Sequence, residues 1–246
     1  MQTSASESFA PAPQGERLLL AIVVLIGAAV RLARLDATEA WLDEACISLF
    51  AQAPFLDSVG WVMAQESHPP LYYFLMSLWT SLFGASEFAI RMPSVLAGVA
   101  SVALVWMLAR QLGSRASLAL AAALIYAVAP PAIYYAVEAR SYSLLWALVL
   151  GAVVALHRAV YTGRRSAFIM AAALTVLATF THYFGLMVLA SWFFAVLATR
   201  DEARALAVRC LLGSLVIFAV GAGPLLARHG ELTATFWLAD YWHGPL

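Results

Sequence analysis

Two adjacent carboxylates, Asp43 and Glu44, follow the first long apolar segment of the chain. Adjacent acids repel each other, which raises the pKa of one of them and suits it to act as a general base. The alternative is a solvated acidic loop, or acids that stabilise the first turn of a helix. An Asp-Glu pair alone does not decide between these interpretations.

Three further clusters are candidates for substrate binding. His68 precedes two prolines that favour the start of an interfacial helix, which makes it a ligand, a proton carrier or a polar cap. Glu138 and Arg140 lie between apolar segments, where ionisable groups usually face a cavity or a partner. Arg140 is suited either to hold a phosphate with its guanidinium fork or to pair with Glu138. His182 interrupts two apolar runs and is either a helix cap or a substrate-binding group.

The elements that must position these residues are membrane helices. Of the 246 residues 63% are hydrophobic and 11% are charged, whereas a soluble domain is typically about 45–50% apolar and about 25% charged. The apolar residues form blocks, many of them long enough to cross a hydrocarbon core of about 30 Å. We therefore predict an all-α, multi-pass membrane protein. The blocks are residues 18–35, 69–83, 93–112, 116–133, 144–161, 167–180, 184–198 and 206–226.

Charge and cysteine content exclude several other classes. The net charge is zero, so the composition shows no bias toward nucleic acid. Cys46 and Cys210 lie in very different segments, which argues against a disulfide framework and a zinc site. Residues 1–16 are rich in Ser, Ala and Pro and are predicted to be a disordered cytoplasmic tail. The apolar run that follows is too long for a secretory signal, and we predict a retained first helix.

Arginine placement predicts the orientation. The connections 110–115, 158–165 and 200–209 are basic and are assigned to the cytoplasm. Residues 36–66 carry six acids and no arginine, and we place them outside together with the connections near residues 138, 181 and 228. Arg31 and Arg34 then lie at the outer end of the first helix, where they would reach lipid headgroups or bind an anion.

This assignment requires an even number of spans between the first two outer loops, although three apolar blocks lie there. We predict that residues 69–83 do not cross, because this block is short, begins with two prolines and carries interfacial aromatic residues. They would form part of an outer loop of residues 36–92. Seven transmembrane helices remain, with the N-terminus inside and residues 228–246 outside.

The polar residues therefore converge on one outer face beside an apolar wall. That arrangement suits an enzyme that takes a lipid-anchored, phosphate-bearing substrate from the outer leaflet. A transporter would need ionisable residues near the bilayer midplane, and the helix interiors here carry only scattered Ser and Thr. A non-catalytic membrane protein that binds polyprenyl lipid or a partner remains the alternative.

Four motifs in this order resemble a known family: WLDEA from residue 41, SHPPLYYFLMSLWTSLFGASEFAIRMPSVLAG from 67, YYAVEARSYSLLWAL from 134 and THYFGLMVLA from 181. Together they resemble the integral-membrane GT-C glycosyltransferases, from about residue 17 to about residue 199. The resemblance is greatest to the bacterial branch of polyprenyl-phosphate-sugar mannosyltransferases, protein O-mannosyltransferases, aminoarabinose transferases and Rgt-like lipopolysaccharide transferases.

The resemblance implies a fold and a reaction. The fold is a module of seven transmembrane helices, here residues 17–227, with membrane-parallel helices in the first outer loop. The reaction transfers a sugar from a polyprenyl phosphate to an acceptor outside the cytoplasm, with inversion. Asp43 would be the catalytic base with Glu44 beside it, and Glu138 would be the acid of the second outer loop. The basic and tyrosyl groups near that acid fall on Arg140 and Tyr142.

Further roles follow from the same resemblance. His68 begins the HPP motif, and Arg34 would help Arg140 to neutralise the departing lipid phosphate. Glu44, Glu138 and His68 would orient the acceptor or hold a divalent cation such as Mg²⁺ or Mn²⁺, because carboxylate oxygens suit both metals. Metal use differs within the family, so both alternatives stay open. The predicted location is the bacterial plasma membrane, and the acceptor is not specified by the sequence.

Relatives of full length continue with more helices, whereas this sequence stops at Leu246, soon after the last apolar block. The expectation is therefore a fragment, a truncated product or a minimal module that holds the catalytic loop. Such a chain would lack parts of the donor groove and the acceptor site.

Overall fold

A computed structural model describes residues 12–35, 42–53, 57 and 68–231. Within the helices, the side chains of residues 42, 43, 46, 50, 51, 201, 202 and 224–231 lie outside the description. Every regular element in the described ranges is helical, which confirms the predicted class.

The helices are numbered here in chain order. They are α1 (Gln14–Leu32), α2 (Leu42–Gln52), α3 (Leu71–Phe83), α4 (Glu87–Gln111), α5 (Ala116–Val128), α6 (Pro130–Tyr134), α7 (Tyr142–Thr162), α8 (Arg165–Thr181), a 3₁₀ turn (Tyr183–Leu186), α9 (Met187–Ala198) and α10 (Asp201–Glu231). Helix α1 begins at Gln14, three residues before the predicted start of the membrane module at residue 17.

Three described helical segments are long and apolar enough to cross a membrane: α4, α7 and residues Ala203–Gly223 of α10. Four shorter apolar helical segments accompany them, namely α3, α5, α8 and the stretch Tyr183–Ala198. These helices agree with the prediction of a multi-pass membrane protein. The count of seven spans and the membrane-parallel position of α3 remain predictions.

Helix α7 lies at the centre of the bundle, between α4 and α8. One cluster of buried residues from α7, α8, α9 and α10 is built largely from alanines, among them Ala155, Ala159, Ala171 and Ala195. Small side chains allow helix backbones to approach closely, and this is the usual packing device where lipid removes the hydrophobic drive between helices. The apolar blocks pack here through small residues, while many of the large apolar side chains face outward.

One large side chain fills the space between these alanine surfaces. Trp192 of α9 is fully buried, and its indole Nε1 donates a hydrogen bond of 2.9 Å to Oγ1 of Thr175 on α8. Thr175 is itself fully buried. An indole N–H buried away from water needs such an acceptor, so this bond fixes the position of α9 against α8.

Helix α4 begins at Glu87, six residues before the predicted apolar block, and Pro93 lies in its second turn. Proline has no N–H, so the carbonyl of Ala89, four residues earlier, lacks its helical donor. The indole Nε1 of Trp79 donates to that carbonyl at 2.8 Å. The proline is tolerated because α3 supplies the missing hydrogen bond, which also holds the end of α3 against the start of α4.

A second proline gap separates α5 from α6, where the predicted block 116–133 is interrupted at Ala129. Pro131 cannot donate to the carbonyl of Ala127, and Arg31 of α1 takes its place with an Nη1 bond of 2.9 Å. Arg31 is fully buried and also donates to the carbonyls of Gly27 and Ala132. Sequence reasoning placed Arg31 at lipid headgroups or an anion. The structure instead turns it inward, onto backbone carbonyls.

The turn between α8 and α9 depends on a glycine. A Cβ atom at Gly185 would lie 2.4 Å from the backbone carbon and oxygen of Ala178. The Gly185 N–H also donates to the carbonyl of His182 at 2.8 Å. Because backbone atoms cannot swing aside as a side chain can, the 3₁₀ turn packs on α8 only if this position has no side chain.

We therefore expect Gly185→Ala to destabilise the protein. The added methyl group overpacks a backbone contact, which typically costs about 1–3 kcal/mol, and we expect a lower thermal unfolding midpoint in detergent. The matched control is Gly213→Ala in α10, where nothing lies within 4 Å of an added Cβ. That control should be neutral or slightly stabilising, since alanine favours a helix. Equal midpoints for the two variants would contradict the close packing of the turn.

Candidate active site

A buried ion pair joins α2 to α4. Glu44 of α2 accepts hydrogen bonds from both forks of Arg91 of α4, at 3.0 Å from Nε and 2.8 Å from Nη2. The exposed fractions of the two side chains are 1% and 2%. Glu44 Oε1 also accepts from the backbone N–H of Ala139 at 2.7 Å. One carboxylate therefore holds α2, α4 and the loop between α6 and α7 together.

The same arginine reaches the end of α1. Arg91 Nη1 donates to the carbonyl of Leu35, a buried residue just after the helix. With this bond the guanidinium has acceptors on α2 and at the end of α1. A charge that is buried away from water requires such partners. Arg34, predicted to assist at the phosphate, is exposed at this same end of α1.

Asp43 lies in α2 directly before Glu44, and its side chain is outside the described residues. Its backbone position nevertheless follows from its neighbour, because Glu44 contacts the second outer loop at Ala139. Glu44 thus lies next to the loop that carries Glu138. The role of Asp43 as a base stays a prediction.

Glu138 lies in the loop between α6 and α7 and is buried. Burial raises the pKa of its carboxyl group, and the nearby charge of Glu44 raises it further. The hydroxyl of Tyr134 donates to the carboxyl, and Arg140 and Arg91 lie close enough to lower its pKa in part. Glu138 therefore lies near a charged pair. The desolvation of its carboxyl group raises its pKa, and the two arginines offset only part of that rise.

Arg140 and Tyr142 flank Glu138 at the start of α7. The Arg140 guanidinium lies 5.6 Å from the centre of the Tyr142 ring, within reach of a cation–π contact. Its backbone carbonyl accepts from Ser94 Oγ of α4 at 3.1 Å. These contacts fix the loop at both its backbone and its side chain, so that a cation stands beside the Glu138 carboxyl.

Rings from three parts of the chain meet next to this cation. The imidazoles of His68 and His182 lie with centroids 5.1 Å apart, and the Tyr142 ring lies 5.6 Å from His182. Nδ1 of His182 accepts from the Phe184 N–H at 3.1 Å, so His182 caps the 3₁₀ turn. The structure thus brings His68, Arg140, Tyr142 and His182 together, as the sequence predicted for one outer face.

The geometry of Glu44 does not favour a metal ligand. Both of its carboxylate oxygens accept from Arg91 or the Ala139 amide, so a cation there would face a guanidinium. Among the described residues no group of three or more His, Cys, Asp and Glu side chains could hold a metal ion. Glu44 and Glu138 are the carboxylates predicted to bind a metal. Of these, only the Glu138 carboxyl accepts no described hydrogen bond from an arginine.

Sequence reasoning missed Arg91 as a site residue, although it lies inside the family motif that begins at residue 67. The signal was present, since an arginine within an apolar segment usually has a partner or a function. Its partner Glu44 is 47 residues away, and no local pattern relates the two. Tyr134 was also not singled out, because its contact with Glu138 depends on the short helix α6.

The Glu44–Arg91 pair predicts a coupled response to substitution. Glu44→Gln or Arg91→Met leaves the other group buried without its charge partner, which typically costs about 3–5 kcal/mol. The double variant should lose less than the sum of the single losses, measured as thermal unfolding midpoints in detergent. Glu87→Gln, at an exposed acid of the same helix α4, is the control and should change stability by about 0.5 kcal/mol or less. Strictly additive losses would contradict the pairing.

The sequence profile of dolichyl-phosphate-mannose-protein mannosyltransferases matches residues 67–227. The matched region contains Arg91, the loop between α6 and α7, His68 and His182, and it begins after Asp43 and Glu44. No curated protein and no solved structure shows a significant match to the chain. Because the matched region covers more than half of the sequence, the chain belongs to this mannosyltransferase-like family of membrane glycosyltransferases of the GT-C type.

Proposed function

We propose that the protein is an inverting glycosyltransferase that moves a sugar from a polyprenyl-phosphate-linked donor to an acceptor hydroxyl on the extracytoplasmic side. Asp43 is the proposed general base. Membership of the family supports the reaction class and a lipid-linked donor.

The observation that carries this proposal is the 2.7 Å bond from the Ala139 N–H to Glu44. It brings the acid pair of α2 to within one residue of both Glu138 and Arg140. This contact supports a site at the end of the bundle in which the proposed base Asp43 acts together with Glu138 and Arg140. A sugar transfer from a phosphate is assisted by a base and a cation, because a proton is removed on one side while negative charge grows on the other.

The proposed step is a single displacement. The acceptor hydroxyl oxygen forms a bond to the anomeric carbon while its proton passes to the Asp43 carboxylate. The bond between the anomeric carbon and the phosphate oxygen breaks, and its electron pair leaves with the lipid phosphate. Arg140 offsets the negative charge on that phosphate with its guanidinium fork. Attack from the face opposite the leaving group inverts the anomeric centre.

Glu138 is proposed to orient the reacting hydroxyl groups. Because burial and the Glu44 charge raise the pKa of its carboxyl, a fraction of this group is protonated at higher pH than an exposed glutamate. A carboxyl in this state both donates and accepts hydrogen bonds. Glu44 has a different role, since its oxygens are occupied by Arg91 and Ala139: it positions α2, and through α2 it positions Asp43.

Placement outside the cytoplasm is supported by charge. Exposed arginines stand at the opposite end of the bundle from Glu138, in the turns before α5, before α8 and before α10. Arginine-rich connections mark the cytoplasmic side. The 13 residues of α3 would extend only about 20 Å at 1.5 Å per residue. Trp79, near the end of α3, contacts the first turn of α4, which supports a helix that returns without crossing.

The first functional prediction concerns Asp43. Asp43→Asn keeps the size of the side chain but removes its basicity, so we expect loss of at least about a hundredfold in transfer rate. The assay follows a radiolabelled sugar from polyprenyl phosphate to endogenous acceptors in membranes. Asp57→Asn is the control, because Asp57 is an exposed acid of the same outer loop, and it should retain activity.

Full transfer by Asp43→Asn would refute the assignment of the base. Membranes in which the wild-type chain binds the lipid donor but transfers nothing would instead favour the non-catalytic alternative. Insertion of each variant is checked by the amount of protein recovered in detergent.

A second prediction concerns sidedness. In a chain with Cys46 and Cys210 replaced by alanine, Glu87→Cys should react with a membrane-impermeant maleimide in intact cells. Arg164→Cys should react only after the membrane is opened, because it lies in a basic turn at the other end. Both positions are exposed, so their reactivities are comparable. Labelling of both from the same side would contradict the proposed topology.

A further inference from the structure

The loop that carries Glu138 is tied to other helices on both sides of the acid. After the acid, the Ala139 N–H donates to Glu44 at 2.7 Å. Before it, Arg31 of α1 donates to the carbonyl of Ala132 in α6, at 3.4 Å. The two ties come from different helices and use different side chains.

Arg31 is bound more closely at the end of α5. Its Nη1 donates to the carbonyls of Ala127 and of Gly27 in its own helix, both at 2.9 Å. Ala127 and Ala132 lie on the two sides of the proline-broken step from α5 to α6. Because one guanidinium spans this step, it holds α6 in place relative to both α5 and α1.

The same guanidinium packs against the loop at a point where α4 has no side chain. A Cβ atom at Gly98 would lie 2.7 Å from Cβ of Ala136 and 2.9 Å from Nε of Arg31. Ala136 and Arg31 are both fully buried. The backbone of α4, the guanidinium and the residue two positions before Glu138 therefore meet at one place.

The backbone of the loop connects this place to Glu138. The N–H groups of Ala136 and Val137 donate to the carbonyl of Ile133 in α6, at 3.0 and 3.2 Å. Val137 belongs to the same buried cluster as Leu35, just after α1. A short, hydrogen-bonded turn of buried residues thus leads from α6 to the acid, so a displacement of α6 is transmitted to Glu138.

One atom of Arg31 indicates that stability alone does not explain the residue. Its Nε–H is buried and has no hydrogen-bond partner within the described ranges. A buried N–H without an acceptor is costly. An apolar side chain at this position would avoid that cost, but it could not hold carbonyls on both sides of the α5–α6 step.

We propose that Arg31 is a positioning residue of the reaction, which sets the place of Glu138 by holding α6 at the start of the loop. Gly98 provides the space in which the guanidinium and the loop approach α4. This inference rests on the proposed function, in which Glu138 orients the reacting hydroxyl groups. The described hydrogen bonds of Arg31 go to backbone carbonyls, so its effect passes through the loop. Arg140 lies beyond the bond to Glu44, and its contact with the donor phosphate does not depend on Arg31.

The first test is Arg31→Met, which is apolar, of similar length and without a hydrogen-bond donor. Transfer of labelled mannose from mannosyl polyprenyl phosphate is measured in membranes against donor concentration, per amount of folded protein recovered in detergent. We expect the maximal rate to fall at least about tenfold, because a misplaced group loses its orientation toward the reacting atoms. The donor concentration at half-maximal rate should change by less than about twofold, since Arg140 keeps its place. A wild-type maximal rate in this variant would overturn the inference.

A double-mutant cycle separates positioning from general damage to the fold. In a Glu138→Gln background, Arg31→Met should reduce the rate by less than about a further twofold, because the group that Arg31 positions is already altered. A loss of the same size in both backgrounds would overturn the inference.

Gly98→Ala tests the same contact with a smaller change, and it serves if Arg31→Met does not fold. The added methyl group displaces Ala136 or the guanidinium, so we expect a lower maximal rate. Adding Ala136→Gly removes the nearest obstructing atom and should recover most of the rate. A Gly98→Ala variant with the wild-type rate, or a loss that Ala136→Gly does not reduce, would count against the inference.

Hydrogen exchange at single-amide resolution gives a readout that does not need turnover. In Arg31→Met the amides of Ala136 and Val137 should exchange faster than in the wild-type protein, whereas the Ala139 amide, bound to Glu44, should keep its rate. Unaltered exchange at Ala136 and Val137 would overturn the inference, whatever the transfer rate.

Trp192→Phe is the matched control, because it removes a buried hydrogen bond between α9 and α8. It should lower the thermal unfolding midpoint but leave the maximal rate per folded protein and the exchange of the loop unchanged. Absence of transfer by the wild-type chain would count against the proposed function, and the exchange result would still decide whether Arg31 holds the loop.

Discussion

The arrangement of the site depends on one interaction, the buried fork between Glu44 and Arg91. Taking a carboxylate and a guanidinium out of water is costly, and the cost is offset only when the geometry is good and the remaining polar atoms find partners. Here the Ala139 N–H and the Leu35 carbonyl are those partners. The pair therefore acts as a junction among four separate elements. Asp43, Glu138 and Arg140 are each within one residue of an atom that this junction holds.

A second constraint runs through the helices, namely that every buried backbone carbonyl must find a donor. Pro93 and Pro131 each remove such a donor, and in both cases a side chain from a preceding helix restores it. Trp79 supplies the carbonyl of Ala89, and Arg31 supplies that of Ala127. In each case the irregularity becomes a tie between helices. This explains how the chain accommodates a broken segment at α5–α6 close to the loop that carries Glu138.

The fold class was predictable because long apolar blocks have few alternatives, and most block positions agree with helices. The boundaries were less predictable: α4 begins at Glu87 because Ser86 caps it and Trp79 compensates for Pro93. The proximity of Glu44 to the second loop was anticipated from charge placement and resemblance. Its bond to Arg91 was not, since it depends on two residues distant in sequence that only tertiary packing brings together. The catalytic role of Asp43 still rests on resemblance and proximity.

Arg31 carries a consequence for the way the chain is made. Its acceptor at Ala127 lies 96 residues further along the sequence, and that at Ala132 lies further still. While the ribosome has not yet delivered α5, the guanidinium of the first helix has no such acceptor, and an unpaired buried charge is costly. The final packing of α1 around Arg31 therefore requires that α5 has already been synthesised. Assembly of the bundle is thereby ordered, because a cation made early, in α1, binds a carbonyl made late, in α5.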